Sequence, residues 1–319
     1  MNLLCGEGLN GSENLDVDAF VKRLDEMAEY VRAETARHIY KLREPEFHNS
    51  EGYFRMLYLV TVLQQDLRLH YNPARITEIG VFERNQDFFA DSRDVFIHGL
   101  LETNRLMGTC ASLPVLYVAV GRRLGYPLKL VATKNHLFVR WEDRRERFNM
   151  DATGIGMSVF DDDHYRGWPF PVSAQEEKEF GYLKSMTPAE ELRVFLCLRG
   201  HCLLVMGKLD EAVAAHEAAL RFAPDNKEQQ LILVATQEEV AMRRARLEFL
   251  PPEQLQRGAI PIDLDSHEMR FAHGQQRSRV TRVAMPLPAG QPVGIPGYAP
   301  ARFPEPNPLK QIQSQFQTP

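Results

Sequence analysis

The stretch GTCASLPVLYVAVGRRLGYPLKLVATKNHLFVRWEDRRERFNMDATG, Gly108 to Gly154, changes its hydrophobic period once, and that change decides the fold class. In its first part Leu113, Leu116, Tyr117, Val120 and Leu124 recur at three- and four-residue steps, so they share one helical face. Pro114 fits a first turn, where a missing N–H costs nothing, and Gly125 followed by Pro127 ends the helix. Cys110 is thereby placed at the N-terminal end of a buried helix. Past Pro127 the period falls to two. Residues 128–132, 136–141 and 147–151 read as three successive strands, the last two joined by a hairpin around Glu142, Asp143, Arg144 and Arg145. Helices followed by an antiparallel sheet make an α+β domain, expected over residues 14–185.

The hairpin constrains chemistry as well as fold. Leu137, Val139 and Trp141 alternate with His136, Phe138 and Arg140, while Phe148 and Met150 alternate with Arg147, Asn149 and Asp151, and the more apolar sets should face the core. A four-residue loop predicts the pairs Trp141 with Glu146, Val139 with Phe148, and His136 with Asp151. Opposed side chains on one face have Cβ atoms about 5 Å apart, close enough for a carboxylate to hold an imidazole.

A thiol nucleophile must shed its proton, needs a base within hydrogen-bond reach, and needs a third group that fixes the tautomer of that base. Unsatisfied amides at a helix N-terminus favour the anion at Cys110, His136 is the candidate base, and Asp151 is the candidate orienting acid. The amide of Cys110 can serve an oxyanion, and Asn104, six residues upstream, is a candidate second donor. Taken singly, each residue has an ordinary structural reading. Buried cysteines are usually inert, a strand-end histidine commonly bonds the main chain, and an Asp before Ala152, Thr153 and Gly154 suits a turn. Their order and predicted opposition are what favour a site.

The same run, Gly108 to Gly154, resembles the core of the transglutaminase-like superfamily, in which a helix beginning at a Cys is followed by strands carrying His and then Asp. It looks most like the bacterial SirB-type branch, which joins such a core to a C-terminal tetratricopeptide repeat. The resemblance implies a papain/transglutaminase-like fold, with Cys110 as acyl-accepting nucleophile, His136 as base and Asp151 as orienting acid. The pattern departs at Ala111, where animal transglutaminases and papain-like enzymes carry Trp. The chemistry is implied without protein cross-linking being implied.

Outward from this core, Val17, Phe20, Leu24, Met27, Val31 and Ile39 predict a helix over residues 16–43, stopped by Pro45. A second helix is expected from Tyr53 to Tyr71, after a turn at Asn49, Ser50, Glu51 and Gly52. Residues 76–106 show no clean period. Asp161, Asp162, Asp163 and His164 read as an acidic surface loop rather than cation ligands. The aromatic run Tyr165 to Phe170 suits either a groove wall or plain packing at the domain edge. Within residues 188–249, Gly200, Leu203, Gly207, Leu209, Ala212, Ala219 and Pro224 fall where a tetratricopeptide repeat puts its packing residues, turn and closing proline. His216 departs from that template, which prefers an aromatic. One repeat cannot bury its own faces, so residues 225–249 are expected to cap it and the unit to lean on the first domain. Of the 20 prolines, 12 lie from Pro251 onward, and residues 250–319 read as a mostly disordered tail.

Bulk properties narrow the function classes. With 319 residues, 44% hydrophobic, a net charge of -5 and a pI near 6.1, the chain has no general attraction for phosphate backbones or anionic lipid. No nucleic-acid or membrane partner is expected. The opening residues carry no signal-peptide pattern, so the expected location is cytoplasmic. Four cysteines without a CxxC pair are expected to be free thiols. No metal and no cofactor is expected. The expected function is a thiol-dependent hydrolase or acyltransferase on an amide or peptide-like substrate. The alternative is a scaffold without turnover that recruits a protein partner through the repeat and tail.

Overall fold

A computed structural model describes residues 1–47, 49–75, 86–102 and 105–248. The expected tail at 250–319 and the candidate donor Asn104 lie outside the described residues.

The N-terminal half is helical. A short helix, α1 (Asn2–Gly6), packs Leu3 and Cys5 into the core, ahead of the boundary expected at residue 14. In α2 (Val17–Arg37), Asp16 caps the first turn by accepting from Ala19 N–H at 3.0 Å, and Leu24, Met27, Ala28 and Val31 are buried at helical spacing. The helix ends at Arg37, and Ile39–Arg43 continues only as a 3-10 turn with Ile39 exposed, so the helix is shorter than its periodicity predicts. Ser50 caps α3 (Glu51–Thr61) by accepting from Tyr53 N–H at 2.9 Å. The helix expected to reach Tyr71 instead widens into a π-turn at Val62–Asp66 and stops where Arg68 takes φ 59°. The chain then forms a two-residue strand, β1 (His70–Tyr71).

Two short helices, α4 (Ser92–Val95) and α5 (His98–Leu101), lead to β2 (Met107–Gly108), which pairs with β1 in parallel, Tyr71 opposite Gly108. The central helix α6 (Leu113–Arg123) follows, with Leu116, Tyr117 and Val120 fully buried. Cys110 sits in the turn before α6, three residues short of its first residue. The helix therefore starts later than expected.

Antiparallel strands β3 (Leu128–Thr133), β4 (His136–Glu142), β5 (Arg147–Asp151) and β6 (Ser158–Phe160) form one sheet in sequence order. The β4–β5 register differs from the expected one by two residues: Trp141 opposes Phe148 and Val139 opposes Met150. Glu142 belongs to the ladder, paired with Arg147, and the loop is Asp143 to Glu146. The Asp143 carboxylate fixes it by accepting from the Arg145 and Glu146 amides at 2.7 and 2.8 Å. A shift of two keeps every side chain on its face. His136 and Asp151 thus become diagonal rather than direct neighbours, still within reach of an imidazole and a carboxylate.

Both faces of the sheet are covered. One packs Val139, Trp141 and Met150 on α6. On the other, Val131, Phe138, Tyr165, Tyr182 and Leu183 form a smaller cluster beneath α7 (Asp162–Gly167) and α8 (Ala174–Phe180), with Tyr165 stacked on Phe138 at 3.8 Å. The acidic run is not a surface loop. Asp161 caps α7 through His164 N–H at 2.8 Å, and Asp162 receives the buried Arg140 guanidinium at 2.7 Å. Long helices α9 (Pro188–Val205), α10 (Leu209–Phe222) and α11 (Lys227–Glu248) complete the described chain. Phe195, Cys202, Leu203 and Ala212 join the main core, and buried Glu191 accepts from Arg122 Nη1 at 2.8 Å, so the helices are fastened to the sheet-bearing part. Among the described residues, no helix is long and apolar enough to cross a membrane.

Candidate active site

The turn between β3 and β4 is two residues long, Lys134 and Asn135, and Asn135 takes φ 59°, a conformation asparagine tolerates better than most residues. This tight turn delivers the Asn135 carbonyl and the His136 ring to the mouth of α6. The Cys110 sulfur lies 4.0 Å from the Asn135 carbonyl oxygen. His136 Nε2 bonds Asp151 Oδ2 at 2.8 Å, in a fully buried contact. That leaves Nδ1 as the nitrogen able to serve Cys110, whose thiol acts on the ring by hydrogen bonding and charge.

Burial alone pushes His136 toward its neutral form, but the Asp151 charge and hydrogen bond, joined by Cys110, outweigh it and raise its pKa to about 10. Asp151 shows the mirror image. Burial favours its protonated form, yet His136 and Thr153 hold its pKa below the usual carboxylate value. Asp151 Oδ1 accepts from the Thr153 amide at 2.8 Å, and Oδ2 also accepts from the Tyr165 hydroxyl at 3.4 Å. The ring is thus held as an imidazolium, fixed in orientation from one side.

Aromatic residues pack against the ring. Trp168 meets the His136 ring edge-on at 4.7 Å, and Tyr165 lies parallel to it at 6.2 Å. Of the two readings left open for the run from Tyr165 to Phe170, packing is what the structure shows for Tyr165, fully buried against Phe138, while Trp168 packs on the His136 ring. Two further residues carry no local sequence signal. Gln64, on the π-turn, donates to the Gly154 carbonyl at 3.0 Å and accepts from Gly156 N–H at 2.6 Å, pinning the loop behind Asp151. Asp94, almost fully buried, receives Asn72 Nδ2 and Arg75 Nε at 2.8 Å, while its carbonyl accepts from Thr109 and Ser112 hydroxyls at 2.7 and 3.1 Å. It clamps β1 to the Cys110 turn.

The structure therefore brings Cys110, His136 and Asp151 together, although with a different strand register from the expected one. Two clefts of about 810 and 480 Å³ lie on the Arg140 and Arg147 side of the sheet and include none of these three residues. Among the described residues, no group of three or more His, Cys, Asp and Glu side chains is arranged to hold a metal ion.

No curated protein and no solved structure gives a significant match. The profile of the transglutaminase-like superfamily matches residues 18–193, a span that takes in β1, the Cys110 turn, the whole sheet and the first turn of α9. Since that span exceeds half of the 319 residues, the chain belongs to the transglutaminase-like superfamily.

Proposed function

We propose that the protein is a cysteine-dependent hydrolase or acyltransferase acting on amide or peptide-like substrates through Cys110, His136 and Asp151. In the first half-reaction His136 holds the proton of Cys110, and the sulfur adds to the substrate carbonyl carbon while the carbonyl electron pair moves onto oxygen. When the pair returns, the C–N bond breaks and His136 delivers its proton to the departing amine, leaving a thioester on Cys110. Water or an incoming amine then attacks, with His136 accepting its proton, and the thiol is regenerated. Asp151 keeps Nε2 occupied and offsets the imidazolium charge throughout. The carrying observation is the buried 2.8 Å bond between His136 and Asp151 on a ring that also feels the Cys110 thiol.

Selective alkylation tests this reading. Cys110 is 7% exposed, Cys5 6% and Cys197 8%, so access alone does not favour Cys110. Burial pushes the thiols of Cys197 and Cys202 up to about 12 and raises that of Cys5 as well. Mass spectrometry after limited treatment with iodoacetamide should find Cys110 labelled first, and His136→Ala should abolish that preference. Equal labelling of all four cysteines would count against the assignment.

The burial of the sulfur favours a second reading, a scaffold of the same fold without turnover, which would label no faster at Cys110 than elsewhere. For α9 to α11 we propose a tetratricopeptide-like module offering a surface to a protein partner, as in a SirB-type cytoplasmic protein. Small residues support it: Ala212 and Ala219 are fully buried, and Gly207 turns the chain with φ 75°. A Cβ on Gly200 would lie 2.4 Å from the His216 ring, so His216 fills the site the template gives to an aromatic.

A further inference from the structure

The turn that presents Cys110 uses nearly all of its own amides. Thr109 N–H donates to Ser112 Oγ at 3.0 Å, and Ala111 N–H to Thr109 Oγ1 at 3.2 Å. Ser112 and Leu113 N–H both donate to the Thr109 carbonyl, at 3.2 and 2.9 Å. Cys110 N–H finds no acceptor within the turn. The group that faces it is the phenol of Tyr71, on which the Cys110 N–H and the Cys110 thiol both act by hydrogen bonding.

Tyr71 is held there by the main chain. It opposes Gly108 in the β1–β2 pair, and the next residue, Asn72, donates its N–H to the Gly108 carbonyl at 2.7 Å. Asp94 locks the same two segments through Asn72 on one side and through Thr109 and Ser112 on the other. A half-buried phenol is therefore fixed beside a nucleophilic sulfur and the one amide of its turn that is left over. Burial first, then the neighbouring charge of Cys110, raises the phenol above its ordinary pKa, so it keeps its proton and remains a donor.

We propose that Tyr71 is the second donor of the oxyanion hole, its hydroxyl acting with the Cys110 N–H on the oxygen that becomes negative as the sulfur adds to the carbonyl. The substrate oxygen takes over the Cys110 N–H that now faces the phenol, and the phenol turns its O–H onto that oxygen. No proton leaves Tyr71. The interaction strengthens as charge moves onto oxygen and weakens when the C=O bond reforms, which lowers the barrier rather than tightening substrate binding. This inference rests on Cys110 acting as an acyl acceptor.

Comparison of two electrophiles on the full-length protein tests it. Acetylation by p-nitrophenyl acetate passes through a tetrahedral oxyanion, whereas alkylation by iodoacetamide is a direct displacement that forms none. Tyr71→Phe should lower the ratio of acetylation to alkylation at Cys110 by about 100-fold, the loss expected for one oxyanion donor, since losing the phenol's bond to the sulfur acts on both reactions, while alkylation keeps its preference for Cys110 over the other thiols. A disrupted fold would show itself as loss of that preference, and Tyr71→Trp, read by the same ratio, then decides. Equal changes in both rates would overturn the proposal, because Tyr71 would then act on the sulfur alone. Faster acetylation would also overturn it, marking the phenol as a stopper. If the wild-type protein shows no His136-dependent preference for Cys110 with iodoacetamide, the underlying acyl-transfer reading fails, whatever Tyr71 does.

Discussion

Two places in this molecule bury a cysteine beside a histidine, and they behave oppositely. At the sheet, Cys110 meets His136, and the ring is held protonated with its pKa raised to about 10. In the helical part, Cys197 Sγ lies 3.6 Å from His201 Nε2, yet desolvation drives that ring down to about 4 and the thiol up to about 12. Both rings are fully enclosed, so burial does not separate them. What raises the His136 ring is a carboxylate. Asp151 bonds His136 directly, whereas His201 is flanked by Phe89 at 4.9 Å and by the ring of His216 at 4.9 Å. A Cys–His contact becomes an acid–base pair only where a fixed negative charge offsets the cost of burying the imidazolium.

The sharpest way to break this contrast is to make the first region resemble the second. Asp151→Asn removes the charge while keeping the size of the side chain. It should lower the acetylation rate of Cys110 by about 10⁴-fold, the scale known for the equivalent change in a serine triad. The His136 pKa, followed by NMR of the ring, should fall from about 10 to below its ordinary value near 6.5, toward the behaviour of His201. An unchanged pKa would mean that Asp151 is not what holds the proton.

Stability should respond next. Gly200→Ala places a methyl group 2.4 Å from the His216 ring, and thermal unfolding should show a loss of about 3 kcal/mol, the upper range for overpacking. Cys110 alkylation should survive at temperatures where the helices remain folded.

The two regions should also have opposite pH dependence. Burial lowers His216 to about 2 and His201 to about 4, so both are neutral in the folded and unfolded chains above pH 6.5 and cost nothing there. Below pH 6.5 the unfolded chain takes up protons that the folded one refuses, and stability falls as pH falls. For His216 alone the loss at pH 5 is about 2 kcal/mol, from 1.36 kcal/mol per pH unit. His216→Phe, which restores the ring type of the template, should remove that part of the acid sensitivity in melting curves at pH 7 and pH 5. At His136 the sign reverses. Its raised pKa gives stability that is complete below pH 6.5 and fades as pH climbs toward 10. This alkaline decline should disappear in His136→Ala.

Particular residues show what the sequence made legible. The alternation from His136 to Trp141 put His136 and Asp151 on one face, because the period of a strand survives any even register shift. The register itself was off by two, since nothing local tells Glu142 in the ladder from Glu142 in the loop; Asp143 decides it by bonding the amides of Arg145 and Glu146. Tyr71 lies where the period predicts the end of a helix, but its position depends on a two-residue parallel pairing of His70 and Tyr71 with Met107 and Gly108, 37 positions away, which leaves no periodic trace. Asp162 reads as solvated because its partners, Arg140 and Arg147, lie on β4 and β5, away from its own helix. Contacts within one element were readable, while contacts between short elements were not.

The most direct test of the central claim is intact-protein and peptide mass spectrometry of the wild-type chain during brief exposure to p-nitrophenyl acetate at neutral pH. The account predicts one acetyl group, on Cys110, that hydroxylamine removes and that does not form in Asp151→Asn on the same timescale. Acetylation of Cys110 no faster than that of Cys5, Cys197 and Cys202, or equally fast in the variant, would contradict it.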